Sequence, residues 1–235
     1  ALNSDILKTA EEVVKFGIGV PVLIGKQEEI EAAARSCQVA TAGFDYFDHT
    51  EEEGRQTLAV DYTARVEDFS AKSGVRKAKD PVRCAMFLLK MGLVDCAAAG
   101  KEYSTGDVIF EAMSIVGLQE GVESVSSLGI ADIPGFDGPQ GSMLGLADCA
   151  ITAQPDAQDL AGIAIASADT VKTLLGWDPR VAMLSFSTCQ SAEHESLEVV
   201  REAVELVHQY RPDIKVDGEF QLDAAIIPAV AKKKV

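Results

Sequence analysis

The chain has 235 residues, of which 37 are acidic and 21 basic, for a formal net charge of −16. Long-range repulsion on that scale argues against nucleic acid and anionic lipid as partners. No apolar run approaches the ~20 residues a membrane helix needs, and the opening ALNSDILKTAEEVVKF lacks the basic and apolar regions of a signal peptide, so the expectation is a soluble, cytoplasmic protein. Aromatics are only 6% of a chain that is 47% hydrophobic, so the core must be mostly Ala, Val, Ile and Leu, which suits helices packed closely on a sheet. Cys37, Cys84, Cys96, Cys149 and Cys189 form no C-x-x-C pair and read as buried free thiols. His49, His194 and His208 are scattered, so no metal site is expected.

Ile6, Leu7, Ala10, Val13 and Val14 share one helical face behind a capping Asn3 or Ser4. Pro21 to Gly25 is a short apolar run that reads as a buried strand, and Gln27 to Arg35 as a helix. This α-β-α opening implies a mainly parallel sheet covered by helices. Phe44 to Glu53 is acidic and reads as an exposed loop. Thr57 to Phe69 reads as helical, broken at Ser73-Gly74, and Asp80-Pro81 starts a helix through Met91. Val94 to Ala99 is small and apolar, a predicted strand, and Thr105 to Val116 a helix capped by Ser104 or Thr105.

Val122 to Ile133 and Ser142 to Thr152 read as two strands of an antiparallel hairpin around the loop Pro134 to Gly141. Asp156 to Leu175 is a long amphipathic helix rich in alanine. Arg180 to Ser187 is a strand, Ser196 to Tyr210 a helix, Ile214 to Gly218 a strand, and Leu222 to Ala231 a final helix. The lysines from Lys232 to Lys234 read as a solvated helix end, where positive charge suits the dipole.

Ligands of open α/β sheets bind at the carboxyl ends of strands and at the helix starts that follow. Three segments have that form. In AAAGKEYSTGD (Ala97 to Asp107), Ser104 and Thr105 either cap a helix or help receive a phosphate. In LSFSTCQSAEH (Leu184 to His194), Ser187 and Thr188 belong to a polar loop whose hydroxyls either cap or contact phosphate. In DGEFQLDAA (Asp217 to Ala225), Asp217 and Asp223 either shape a turn and a helix start or serve acid–base work. Spacing does not choose in any of the three. His194 beside these serines is a weak signal for a nucleophilic triad, since no G-x-S-x-G elbow is present.

Taken in order, these segments resemble the phosphate acetyltransferase and phosphate butyryltransferase family. STGDVIFEAMSIVGL (Ser104 to Leu118) is similar to the family's Ser-Thr-x-Asp helix, and GVESVSSLGI (Gly121 to Ile130) to the strand after it. LADCAITAQPDAQDLAGIAIASADT (Leu146 to Thr170) is similar to its ADCA strand and Ala-rich helix. RVAMLSFST (Arg180 to Thr188), DGEFQLDAAIIPAVA (Asp217 to Ala231) and LKTAEEVVKFGIGVPVLIGKQEEI (Leu7 to Ile30) extend the likeness over nearly the whole chain.

The resemblance implies two α/β/α domains of isocitrate-dehydrogenase type with mainly parallel sheets and a cleft between them, residues 1–121 and 122–235. It implies reversible acyl transfer between coenzyme A and inorganic phosphate, by attack of the CoA thiolate on the carbonyl of acetyl phosphate or a short acyl homologue. The implied partners are acetyl-CoA, acetyl phosphate and phosphate, with a homodimer as assembly and no metal. Ser104, Thr105, Ser187 and Thr188 are the implied substrate contacts, and Arg65 the implied CoA contact. Where the family carries an arginine on the Ser-Thr-x-Asp helix, this chain has Phe110 or Glu111. The family's Ser-Arg-Gly segment with the aspartate after it, and its first strand, are not found between Ala1 and Val235, so the expectation is either a fragment or a member that has lost its catalytic end, and no catalytic residue is assigned. A non-catalytic relative that binds or regulates is the alternative. A dehydrogenase of isocitrate type would need metal-binding aspartates and a nucleotide loop, and neither constellation is found.

Overall fold

The computed structural model describes residues 2–64, 70–118, 122 and 124–235. The chain divides into two units, Ala1–Gly117 and Leu118–Val235.

In the first unit, Asn3 caps α1 (Ser4–Lys15) by accepting the Asp5 N–H, and the helix buries Leu7 and Ala10. Strand β1 (Val22–Ile24), helix α2 (Gln27–Ser36) and strand β2 (Asp45–Phe47) form a crossover, as parallel pairing requires. Val22 lies opposite Asp45 and Ile24 opposite Phe47. Leu7, Leu23, Ile30, Ala34 and Phe44 close one core. Helices α3 (Glu52–Thr63), α4 (Ala71–Lys77), α5 (Pro81–Lys90) and α6 (Thr105–Ile115) follow. Asp80 caps α5 through the Val82 and Arg83 N–H groups, and Pro81 fills the first turn where no N–H is needed. Tyr62 stands edge-on to Phe87, ring centroids 4.7 Å apart, and donates its hydroxyl to the Ile115 carbonyl at 3.1 Å. Each such buried large side chain contributes roughly 1.5–3 kcal/mol of transfer free energy.

In the second unit, β3 (Leu128–Asp132) and β4 (Met143–Ala147) pair antiparallel, Leu128 opposite Ala147. Asp148 ends β4 by accepting the N–H groups of Ala150, Ile151 and Thr152 and bonding the Ser127 hydroxyl. Burial opposes the charge on Asp148, yet these donors win and hold its carboxyl well below the usual range. Helix α7 (Ala157–Leu175) starts with a capping box between Asp156 and Asp159 and stops at Gly176, whose φ of 67° is left-handed. β5 (Arg180–Leu184), α8 (Glu195–Tyr210) and β6 (Lys215–Phe220) make the second parallel crossover, followed by α9 (Leu222–Ile226) and α10 (Pro228–Lys234). Ala161, Ala164 and Ala168 of α7 pack with Ala203, Val204 and Val207 of α8 in one core. The alanine stripe is therefore consumed inside this unit.

Several elements differ from the sequence expectation. Val94 to Ala99 forms no strand, because it finds no ladder partner; Val94 and Ala97 pack on the core of α3 and α5 instead. Phe44 to Glu53 is no simple loop, because Phe44 is buried and Asp45–Phe47 pairs with β1. The predicted Thr57–Phe69 helix is α3 ending at Thr63, and residues 65–69 lie outside the described ones. Ser73-Gly74 does not break the chain; Ser70 caps α4, and Gly74 is buried within it. The long strand from Val122 is only β3, and residues 119–121 and 123 of that region lie outside the described ones. The final helix splits at Ile227, which Pro228 forces into extended backbone (φ −112°, ψ 105°). The thiols also need correction: Cys84 is buried and Cys37 half-buried, but Cys96, Cys149 and Cys189 are exposed, since their segments are loops rather than core strands.

The decisive local feature is a bulge in β6. Met183 pairs with Gly218, but Leu184 pairs with Phe220, leaving Glu219 as the extra residue. Regular alternation would send Glu219 to the exposed side with Lys215 and Asp217. The bulge turns it inward, to 2% exposure. Gly218 permits this, because a Cβ there would meet the Met183 Cβ and carbonyl oxygen at 2.8 Å.

Candidate active site

In the first unit, Ser104 caps α6. Its Oγ accepts the Asp107 N–H at 3.1 Å and donates to Asp107 Oδ2 at 2.6 Å. Both roles of the hydroxyl are thus taken by the cap. Ser104, Thr105 and Gly106 are exposed. The first-turn N–H groups of Thr105 and Gly106 have no intrahelical acceptor, and among the described residues the Thr105 hydroxyl has no protein partner. This helix start therefore offers two N–H groups and a hydroxyl to an anion. Two cations of this unit are committed elsewhere, Arg83 to Glu111 at 2.7 Å and Lys101 to Asp5 at 2.6 Å. Phe110 is 63% exposed, and Glu111 is the residue paired with Arg83. Arg65 lies outside the described residues.

In the second unit, the turn after β5 wraps a buried carboxylate. Glu219 Oε1 accepts from the Ser187 hydroxyl at 2.8 Å and from the Gln190 N–H at 2.9 Å. Arg201 on α8 grips the same carboxylate through Nε at 2.8 Å and a terminal nitrogen at 3.1 Å. The Arg201 bonds, against the cost of burial, hold the Glu219 carboxyl down at about 2. Ser187 and Thr188 are 0% and 2% exposed. Ser187 Oγ also accepts the Ala192 N–H, and Thr188 Oγ1 accepts the Gln221 N–H at 2.9 Å. The remaining turn amides are likewise committed, Thr188 to Ser191 Oγ, Cys189 to the Glu219 carbonyl and Ser191 to the Thr188 carbonyl.

The two predicted serine–threonine pairs are therefore placed differently. Ser104 and Thr105 stand at an exposed helix start, while Ser187 and Thr188 form the inner wall of a turn. Glu219 and Arg201 were missed from sequence, since alternation along β6 points Glu219 outward and Arg201 looks like one more charge on an amphipathic helix. Asp217 is exposed, and among the described residues its carboxylate accepts only the next residue's N–H at 2.8 Å. Asp223 is bound by Lys234 at 2.8 Å, a bond that lowers its carboxyl below the ordinary value and makes it a weaker base. Lys234 also donates to Gln221 at 2.9 Å, so that lysine is a structural tie rather than a solvated end. His194 caps α8, its Nδ1 accepting the Ser196 N–H at 3.2 Å, which commits the nitrogen a triad would need. Among the described residues no group of His, Cys, Asp or Glu could hold a metal ion.

Residues 1–235 match the family model described as phosphate acetyl/butaryl transferase. The phosphate acetyltransferase of Thermoanaerobacterium thermosaccharolyticum is 37% identical over 230 residues, covering 97% of this chain and 70% of that protein. The phosphate acetyltransferase of Bacillus subtilis is 36% identical over 234 residues, covering 99% of this chain and 70% of that protein. Among solved structures, the EutD phosphotransacetylase from Staphylococcus aureus superposes with a TM-score of 0.88 at 28% identity, covering 100% of this chain and 70% of that one.

Proposed function

The chain belongs to the phosphate acetyl/butaryl transferase family, and from that premise we propose that it transfers an acetyl or short acyl group reversibly between coenzyme A and inorganic phosphate. In the synthetic direction, phosphate oxygen attacks the thioester carbonyl and the CoA thiolate leaves. In reverse, the thiolate attacks the acyl phosphate and phosphate leaves. The observation that carries the reading is the match of the family over the full length of the chain. These relatives are named for the enzyme, and none favours a non-catalytic role.

On the first unit, Ser104 and Thr105 are the proposed substrate residues. Uncompensated N–H dipoles at the α6 start attract phosphate oxygens, and the Thr105 hydroxyl adds a donor. On the second unit, Ser187 and Thr188 are the proposed substrate residues, acting by shaping the turn they wall. Arg65 is the proposed CoA contact, its charge matching the CoA phosphates. No metal takes part in this reading. We place the enzyme in the cytoplasm as a homodimer, without nucleic acid or membrane as partners; the acidic charge of −16 supports the last two points.

The test is formation of acetyl phosphate from acetyl-CoA and phosphate, and its CoA-dependent consumption, by the purified full-length protein. Turnover with an acetyl, propionyl or butyryl donor is the expected result. Absence of turnover with all three would overturn the reading.

A further inference from the structure

The turn over Glu219 is strained. Cys189 and Gln190 have φ of 46° and 64°, consecutive left-handed residues without glycine. Left-handed backbone is costly for side chains bearing a Cβ and persists only when its surroundings over-determine it. Thr188 and Ser191 close the turn on each other, and the two left-handed residues themselves are both held by Glu219. The Cys189 N–H bonds the Glu219 carbonyl at 3.1 Å, the Gln190 N–H bonds Glu219 Oε1 at 2.9 Å, and Arg201 fixes that carboxylate from the other side. Because the amides from Ser187 to Ala192 are all satisfied internally, the turn has no free N–H in that stretch for a ligand. Its donors toward solvent are side chains, and the exposed Gln190 amide has no protein partner among the described residues.

We propose that Glu219 is a positioning residue for the acyl-transfer reaction, holding Cys189 and Gln190 in left-handed backbone so that the Gln190 side-chain amide is presented to the acyl phosphate. This rests on the reading that the Ser187–Thr188 turn belongs to the substrate site. Arg201 acts one step further out, keeping the Glu219 carboxylate ionised and in place.

Two variants test it in the full chain. Glu219→Gln keeps an acceptor for Ser187 and Gln190 but loses the charge pair with Arg201. Gln190→Gly removes the amide and suits the observed φ, so it should fold with undiminished stability. We expect Gln190→Gly to raise KM for acetyl phosphate about tenfold while KM for CoA stays within about twofold, as loss of one hydrogen bond to a charged group predicts. Gln190→Asn, which keeps an amide and tolerates the left-handed region, should recover part of that loss. Glu219→Gln should give the same KM pattern together with faster amide hydrogen exchange across residues 189–192. Unchanged KM for acetyl phosphate in Gln190→Gly overturns the proposal, whether or not Glu219→Gln folds. So does a Glu219→Gln protein whose turn exchanges faster but whose KM is unchanged. An unmodified chain inactive with acetyl, propionyl and butyryl donors overturns the underlying reading as well, and is recognised because the parent itself fails.

Discussion

Ser187 and Glu219 are 32 residues apart in the chain and meet at 2.8 Å inside the second unit, hydroxyl to carboxylate. Arg201 completes the contact at 2.8 Å from α8. The serine belongs to the loop after one strand, the glutamate to a bulge in its parallel neighbour, and the arginine to the helix that joins them. One buried charge thus ties together all three parts of a βαβ crossover.

That charge makes stability depend on pH. The Glu219 carboxyl sits at about 2 in the folded chain against an ordinary 4.5. A lowered folded value means the stabilisation is fully present above pH 4.5 and is lost as pH falls toward 2. Its size is about 3 kcal/mol. Acid unfolding of Glu219→Gln should therefore begin from a lower stability at pH 7 and converge on the parent near pH 2. Parallel acid-unfolding curves with a constant offset would contradict the assignment.

Ser104 and Thr105 are separable by stability. Ser104→Ala removes the α6 cap and should cost about 1 kcal/mol. Thr105→Ala removes a hydroxyl with no protein partner among the described residues and should leave the melting temperature nearly unchanged. Both should raise KM for acetyl phosphate. Thermal melts beside steady-state kinetics check the pair, and an unaltered KM in Thr105→Ala would remove that residue from the site.

The thiols should divide by exposure. Burial, opposed by the nearby Arg55 charge, pushes the Cys84 thiol up to about 12, so it has almost no thiolate at neutral pH. Cys96, Cys149 and Cys189 are exposed. Alkylation of the native protein followed by peptide mass analysis should label those three and leave Cys84 untouched until denaturant is added.

Gly218→Ala should be strongly destabilising, because the added methyl meets the Met183 backbone rather than a flexible chain end. A loss of about 2–3 kcal/mol is expected from overpacking of this kind. Denaturant unfolding measures it, and the midpoint should fall.

Long periodic helices were legible in the sequence because their apolar spacing and caps are local. Asn3, Asp80, Ser104 and Asp156 mark the starts of α1, α5, α6 and α7. The order of motifs also carried the family, since the likeness needs only residue identities along the chain. Strands were less legible. Val94 to Ala99 is small and mostly apolar, like a strand, but it has no ladder partner among the described residues. Ser187 and Thr188 stood out as hydroxyls at a strand end, but their burial depends on a carboxylate that approaches from elsewhere.

By itself the sequence determined the α/β class, the approximate starts of the long helices and the family, because each rests on local spacing or on matched residues. Tertiary structure alone decided that Glu219 turns inward, that Arg201 pairs with it, and that Cys189 and Gln190 are held left-handed. The physical reason is one unpaired residue in β6: a bulge reverses the side-chain alternation beyond it, and nothing in the local pattern of Lys215 to Phe220 shows where the neighbouring strand slips its register.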